Sequence, residues 1–513
     1  MGLPPALWWG PSALLRFALT RGLESQGVRV AALDQAVFSL TQGRIDLRKL
    51  DVQPPLGPPV TVARIDLEFS WRALLAGRVE IAELTISGFE LRLEKSRDGA
   101  WRLPLSEGTA APAAAPAEPF ALGIARLVAS DGRVTLADGA RSLAIGVERF
   151  DVSGFDLRRP GQALRVDLAA TLAGGRVRAS GEVTPLAETP EAAATLRAAG
   201  VDIGALAPFF GIEFAGALDG EVSVRANAAS VELRGQADLA RLRAPGVAAE
   251  ALAWRGHANW APALPLEIEG TAAARGLAAA PLHADAARFD GRVRIGAEMA
   301  FEGTASFDGP AYEASGARIA ARHLAANALR ATWRDPDWTL ATDAAADGVA
   351  VAIPAGEIAF DTLKAPGLRA RMQGDRGRLE TPVEIGVASF AGADLRARLE
   401  ALRGTGLALD FGRESGLAGG FASGRAEFAA GDARANFDAL ELDLRRLAWT
   451  PDLAAEFRVS AAGAAFAAPE LSVRAQRAGV DGRWTGTRFD GQISAEGAGA
   501  DLAAARIAAR AAR

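Results

Sequence analysis

The chain has no cysteine, and among its 513 residues there are only three histidines, three methionines and one tyrosine, Tyr312. Without cysteine there are no disulfides, no thiolate metal sites and no cysteine nucleophile, a composition compatible with an oxidising compartment such as a periplasm. His257, His283 and His323 stand singly, none in metal-ligand spacing, so they are read as solvated or hydrogen-bonded strand and loop residues. No GxSxG elbow, phosphate-binding loop or dinucleotide fingerprint occurs in the strand-to-helix setting that such chemistry needs. Asp131, Asp138, Asp151, Asp156 and Asp219 mostly sit beside glycine or at strand ends, where aspartate serves turns. The expectation is a protein that is not an enzyme and holds no cofactor or metal. Lys plus Arg number 57 against 62 Asp plus Glu, with no basic stripe, so nucleic acid is not an expected partner.

Long apolar runs are also missing. Residues 1–15 are uncharged, but Pro4, Pro5, Gly10 and Pro11 interrupt them, and they fall short of the roughly 20 residues that span a bilayer. A signal peptide would carry a basic stretch before the apolar one, and none is present. Adjacent Trp8 and Trp9, followed by Arg16 and Arg21, read as the interfacial end of a membrane segment. On that reading Leu7, Trp8, Trp9, Leu14, Leu15 and Phe17 are membrane-proximal, and Met1 lies inside a longer reading frame that begins with a membrane anchor. The alternative is an ordinary buried N-terminal segment. Residues 11–26 read as a helix stopped by Gly27.

What the chain does have is alternation. Leu164, Val166, Leu168, Ala170 and Leu172 are interleaved with Arg165, Asp167, Ala169 and Thr171, the period of a strand with one apolar and one wet face. Phe89, Leu91 and Leu93 alternate with charged residues in the same way, and so do Ile65, Leu67 and Phe69. Tight antiparallel turns are expected at Asp131-Gly132, Asp138-Gly139 and Gly174-Gly175, a short helix over 71–76, and a loop with a helical turn over 201–210. The fold class expected is mostly β, an elongated, twisted antiparallel sheet or groove with an N-terminal helix and few short helices. Pro/Ala-rich residues 106–119 read as a linker. The organisation is then 1–27 apolar segment and helix, 28–105 first β module, 106–119 linker, 120–235 second β module, and 236–513 an extended β-rich region with no fixed repeat length.

The stretch VTVARIDLEFSWRALLAGRVEIAELTISGFELRLEKSRDGAWRL, a strand, a short helix, paired strands and an Asp-Gly-aromatic turn, resembles the N-terminal part of the AsmA-like proteins of Gram-negative envelopes. The run from IARLVASDG to GEVTP, with VDIGALAPFF and GALDGEVSV after it, is similar to that family's next module, so the resemblance covers roughly residues 12 to 235. It implies a periplasmic β-rich body held at the inner membrane, related to TamB-type bridge-like proteins that carry phospholipid toward the outer membrane. No full anchor and no recognisable element for docking an outer-membrane or periplasmic protein partner accompany it here. With the alternation, it suggests acyl chains lying on an apolar face lined by Phe89, Leu91, Leu93, Leu164, Val166, Leu168, Leu172, Val177 and Val183. The same residues would serve equally in a closed β core. The alternative function is a non-enzymatic envelope scaffold assisting outer-membrane protein assembly or envelope integrity.

Overall fold

The computed structural model describes residues 15–17, 19–21, 29–39, 41–53, 59–76, 78–95, 101–102, 122–156, 158–159, 161–211, 213–262, 264–314, 317–354, 356–411, 415–450, 454–485 and 488–502. The fold is mostly β with few short helices. The chain divides into two units, the first Met1–Pro245 with Arg255–Ala263, the second Gly246–Trp254 with Leu264–Arg513.

The first unit contains β1 (Arg29–Ser39), β2 (Arg44–Gln53), β3 (Val60–Phe69), the helix α1 (Trp71–Leu75), β4 (Val79–Lys95) and the two-residue β5 (Trp101–Arg102). Then come β6 (Leu122–Asp138), β7 (Arg141–Asp156), β8 (Leu164–Leu172), β9 (Gly175–Val183) and β10 (Glu191–Asp202). The helix α2 (Ile203–Phe210), β11 (Ala215–Asn227) and β12 (Val231–Ala244) complete the series. From β1 to β4 and from β6 to β12 each strand pairs antiparallel with the next. The exception is β4 with β6, which run parallel from Val79↔Leu122 to Glu94↔Ala137. That pair joins the stretches on either side of the Pro/Ala-rich segment, and it departs from the all-antiparallel meander expected. A parallel neighbour requires the chain to cross back, which residues 96–121 provide the length to do.

The other correction in this unit concerns Asp131-Gly132. It is not a hairpin turn: one strand runs through it, with Asp131 at φ 54. Gly88 in β4 is likewise left-handed at φ 62, and a Cβ there would lie 2.6 Å from that of Ala63. Gly132 serves a different need, since a Cβ on it would stand 2.1 Å from the Phe89 ring, which lies across the glycine. The Asp138-Gly139 and Gly174-Gly175 turns stand where the sequence places them.

Helix α2 begins at Asp202, whose carboxylate accepts from the Gly204 N–H at 2.8 Å, and ends at Gly211 in the left-handed region, φ 70. It lies against β7 and β11. Residues 15–17 and 19–21 are helical, inside the helix expected over 11–26. Leu15 and Leu19 pack on a cluster of Leu33, Ala36 and Leu47, so this helix covers the apolar side of the first strands.

The second unit is also a succession of strands. Its elements are β13 (Val247–Trp260, shared with the first unit), β14 (Leu266–Ala279), β15 (Leu282–Ile295), β16 (Met299–Asp308), β17 (Ala311–Ala314), β18 (Ala317–Ala320) and β19 (His323–Arg334). The long strands β20 (Asp337–Ile353), β21 (Gly356–Gln373), β22 (Arg376–Gly392) and β23 (Leu395–Phe411) follow. Last come β24 (Ser415–Ser423), β25 (Arg425–Ala430), β26 (Ala433–Phe437), β27 (Ala439–Thr450), β28 (Ala454–Ala468), β29 (Leu471–Thr485), β30 (Arg488–Glu496) and β31 (Gly499–Leu502). Every pairing given for this unit is antiparallel.

A repeat that the sequence does not reveal appears here in the backbone. Left-handed residues recur at Ala328, Gly367 and Gly406, a spacing of about 39 residues, close to one hairpin of long strands. Gly309 and Gly348 repeat the 39-residue spacing, and they and Gly463 each have an Asp or Arg side chain over them: Asp285, Arg322 and Asp438.

Two substitutions separate these glycine roles. Gly132→Val, which drives a side chain into the Phe89 ring, is expected to cost about 2 kcal/mol. Gly139→Ala, at φ 60 with nothing within 4 Å of its Cβ, is expected to cost only its backbone strain, about 1 kcal/mol. Urea unfolding monitored by far-UV circular dichroism measures both, and equal costs would contradict the ring-packing account.

Candidate functional site

The nine residues singled out as a lining all lie on one face of the first unit. Leu164 pairs with Val183, Leu168 with Ala179, Ala170 with Val177 and Leu172 with Gly175. On the other side of β8, Val166, Leu168 and Leu172 stand opposite Val152, Phe150 and Ile145. From β7 the face passes to Leu127, Ala129, Val134 and Leu136 of β6, and from these to Leu84, Ile86, Leu91 and Leu93 of β4. Phe89 stands opposite Val62. Apolar therefore meets apolar at nearly every register position.

These side chains are sheltered but not enclosed. Leu164 is 8% exposed, whereas Val166, Leu168, Leu172, Val177, Val183, Phe89, Leu91 and Leu93 are half-buried. Among the described residues, the segments that closely approach a strand are mainly its neighbours in the sheet, with α1 and α2 at a few places. Of the membrane-proximal set, Leu7, Trp8, Trp9 and Leu14 lie outside the described residues. Leu15 is half-buried against the sheet, while Phe17 is 62% exposed with the Arg21 guanidinium 5.8 Å above its ring. Among the described residues, no helix is long and apolar enough to cross a membrane.

The second unit carries a face of the same kind, which sequence reasoning did not single out. Its middle is small: Ala344 pairs with Ala365 and Ala346 with Leu363, and Ala346, Ala365 and Ala388 are 6%, 3% and 4% exposed. Its ends are large. At one end a single row passes through Leu266, Ile295, Met299, Trp333, Trp338 and Met372. Beyond Met372 it continues to Gly377 and Phe411, whose ring lies against the glycine. At the other end Leu282, Tyr312, Ile319, Val351 and Ile358 form a corresponding row. The aromatics are few in number, so only their alignment across strands makes them visible as rows.

The opposite face of both sheets is charged and ordered by cross-strand ion pairs. Asp66 accepts from the Arg44 Nε at 2.7 Å and from Arg64 at 3.0 Å. Asp151 takes Arg126 from β6 at 3.1 Å and Arg149 of its own strand at 2.9 Å. Asp481 and Glu456 are bracketed by arginines in the same way in the second unit. Hydrogen bonds from Arg126, and after it from Arg149, hold the Asp151 carboxyl down at about 2. These pairs make the polar face wet and register-specific. Among the described residues no group of His, Asp and Glu is arranged to hold a metal ion.

Family models, characterised proteins and solved structures were all compared with the chain, and none matches it.

The Asp151 pairing predicts a pH dependence. Its folded pKa lies below that of an unfolded carboxylate, about 3.9, so its stabilisation is complete above that value and is lost as pH falls toward about 2. Asp151→Asn is expected to lower stability near neutrality by about 1 kcal/mol and to lose less than wild type on acidification across that window. Urea midpoints of both proteins through the window measure this, and parallel acid losses would refute it.

Proposed function

We propose that this chain is an AsmA-like, non-enzymatic protein of the periplasm, associated with the inner membrane, that holds phospholipid acyl chains on its apolar sheet face and supports lipid movement between the two membranes. The observation that carries the reading is the continuity of that face. Apolar residues stand opposite apolar residues from β1 through β12, yet most remain half-buried, so the face retains surface that hydrocarbon can cover. At about 25 cal/mol per Å² of apolar area removed from water, a two-chain lipid gains several kcal/mol by lying there. Successive strands offer closely similar surfaces, so a chain shifts from one to the next without leaving hydrocarbon-like contact. The charged outer face, its arginines matched by carboxylates, keeps the other side in water.

Mass spectrometry of organic extracts from the purified protein, after mild detergent and extensive washing, tests this. More than one phospholipid per chain is expected in wild type. Val166→Asp with Leu168→Asp is expected to lose that lipid while keeping the far-UV spectrum, because both side chains are half-buried and an aspartate there reaches water. A folded but lipid-free wild-type protein would defeat the proposal and favour an envelope scaffold. A double variant that unfolds would place these residues in a closed core.

A further inference from the structure

All nine residues of β30 are exposed, and Ile493 is 78% so although it stands opposite Val480 on the apolar face. The strand pairs with β29 from Arg477↔Glu496 to Thr485↔Arg488 without a register shift. Its far edge has no strand beside it among the described residues, so alternate N–H and C=O groups there lack a sheet partner. Edges of this kind are ordinarily blunted by lysine, proline or a bulge, and β30 has none of these. At the edge of the first unit, by contrast, β1 carries a register shift between Val30 and Ala32. Beyond Glu496 the regular stretch ends at Gly497, which is left-handed at φ 64.

The order of residues along β30 fits a reversed copy of itself. Laid antiparallel about Gln492, two such strands set Arg488 opposite Glu496 at both ends and Asp490 opposite Ser494. On the other face Phe489 meets Ala495 and Ile493 meets Gly491, large beside small. The Phe489 ring already leans over Gly491, where a Cβ would stand 2.6 Å from it. An isoleucine brought opposite that glycine therefore packs against an aromatic ring. Within one chain the end charges are loosely engaged: Arg488 lies 3.2 Å from Asp490 and Glu496 lies 3.6 Å from Arg477, with side chains 64% to 80% exposed. Shifting the two strands by two residues sets Asp490 opposite Glu496 in one direction and loses both end pairs in the other. Shifting them by one turns the second strand's apolar residues to the charged face.

We infer that β30 is a self-association edge, through which two copies of this chain pair antiparallel over residues 488–496 about a two-fold axis at Gln492. The sheet then continues from one copy into the other. Because paired residues share a face, the apolar row of Val480 and Ile493 runs on into Gly491 and Gly482 of the second copy. One strand pair is a small contact, so the association is concentration dependent.

Two measurements on the full chain test this. The chain has no cysteine, so a single introduced one reports only its own neighbourhood. Gln492→Cys places two thiols beside the axis with Cα atoms about 5 Å apart, within disulfide reach. Arg488→Cys leaves them about 27 Å apart. Covalent dimer under mild oxidation is expected from the first and not from the second; equal yields, or none from Gln492→Cys, would overturn the pairing. In sedimentation velocity, wild type is expected to pass from monomer to dimer as concentration rises. Glu496→Arg, at a side chain 72% exposed, is expected to weaken that dimer on the order of tenfold with an unchanged far-UV spectrum. Arg488→Glu combined with Glu496→Arg restores opposite charges across the axis and is expected to recover most of the loss. A wild type that stays monomeric, a dimer indifferent to Glu496→Arg, or one that the double variant fails to recover would each defeat the inference. None of these outcomes depends on bound lipid, so the self-association edge stands or falls separately from the lipid reading.

Discussion

Every other feature of this structure depends on keeping one parity across many strands. A strand presents alternate residues to opposite faces, so one extra residue in one strand would turn its apolar set outward. The chain nevertheless contains many left-handed residues, and it preserves the face by matching irregularities between neighbours. Asp34 faces Lys49 outside the regular pairing, Lys49 faces Ala63, Ala63 faces Gly88, and Asp131 faces Glu148. In the second unit Gly276 meets Asp285 and Gly348 meets Asp361 in the same way. Each strand bends beside its neighbour, and the apolar face passes through the bend unbroken.

The two faces then divide the work. On the polar side, long arginines reach diagonally across strands to carboxylates, as Arg44 does to Asp66 and Arg64 to Asp46, in a register that sets Asp46 opposite Asp66 and Arg48 opposite Arg64. On the apolar side the stabilisation comes from neighbouring side chains on the same sheet, and it is incomplete. Alanines in the middle reach full burial, while larger residues near the ends stay partly open. A sheet built this way retains apolar side chains that its own neighbours only partly cover.

Local chemistry was legible wherever it depended on a few adjacent residues. The strand over 164–172, the strand over 60–69, the short helix at Trp71 and the turns after Asp138 and Ala173 follow from alternation and turn residues alone. Asp131-Gly132 misled because a left-handed Asp followed by Gly satisfies a bulge as well as a hairpin, and only the parallel neighbour β4 selects between them. The repeat escaped notice because it resides in backbone conformation. Alanine at 328 and glycine at 367 share a left-handed geometry without sharing a side chain.

By itself the sequence determined that this protein is made of half-wet strands, that it holds no cysteine or clustered histidine chemistry, and which residues of a strand share a face. Period and composition act over a few residues, so one chain segment suffices to read them. Only the tertiary structure decided that Phe89, Leu93, Leu164 and Val183 stand on the same side, and that scattered Trp and Met residues align along one end of the sheet. Those relations depend on register between strands far apart in sequence, and register is set by how each bend is matched by the strand beside it.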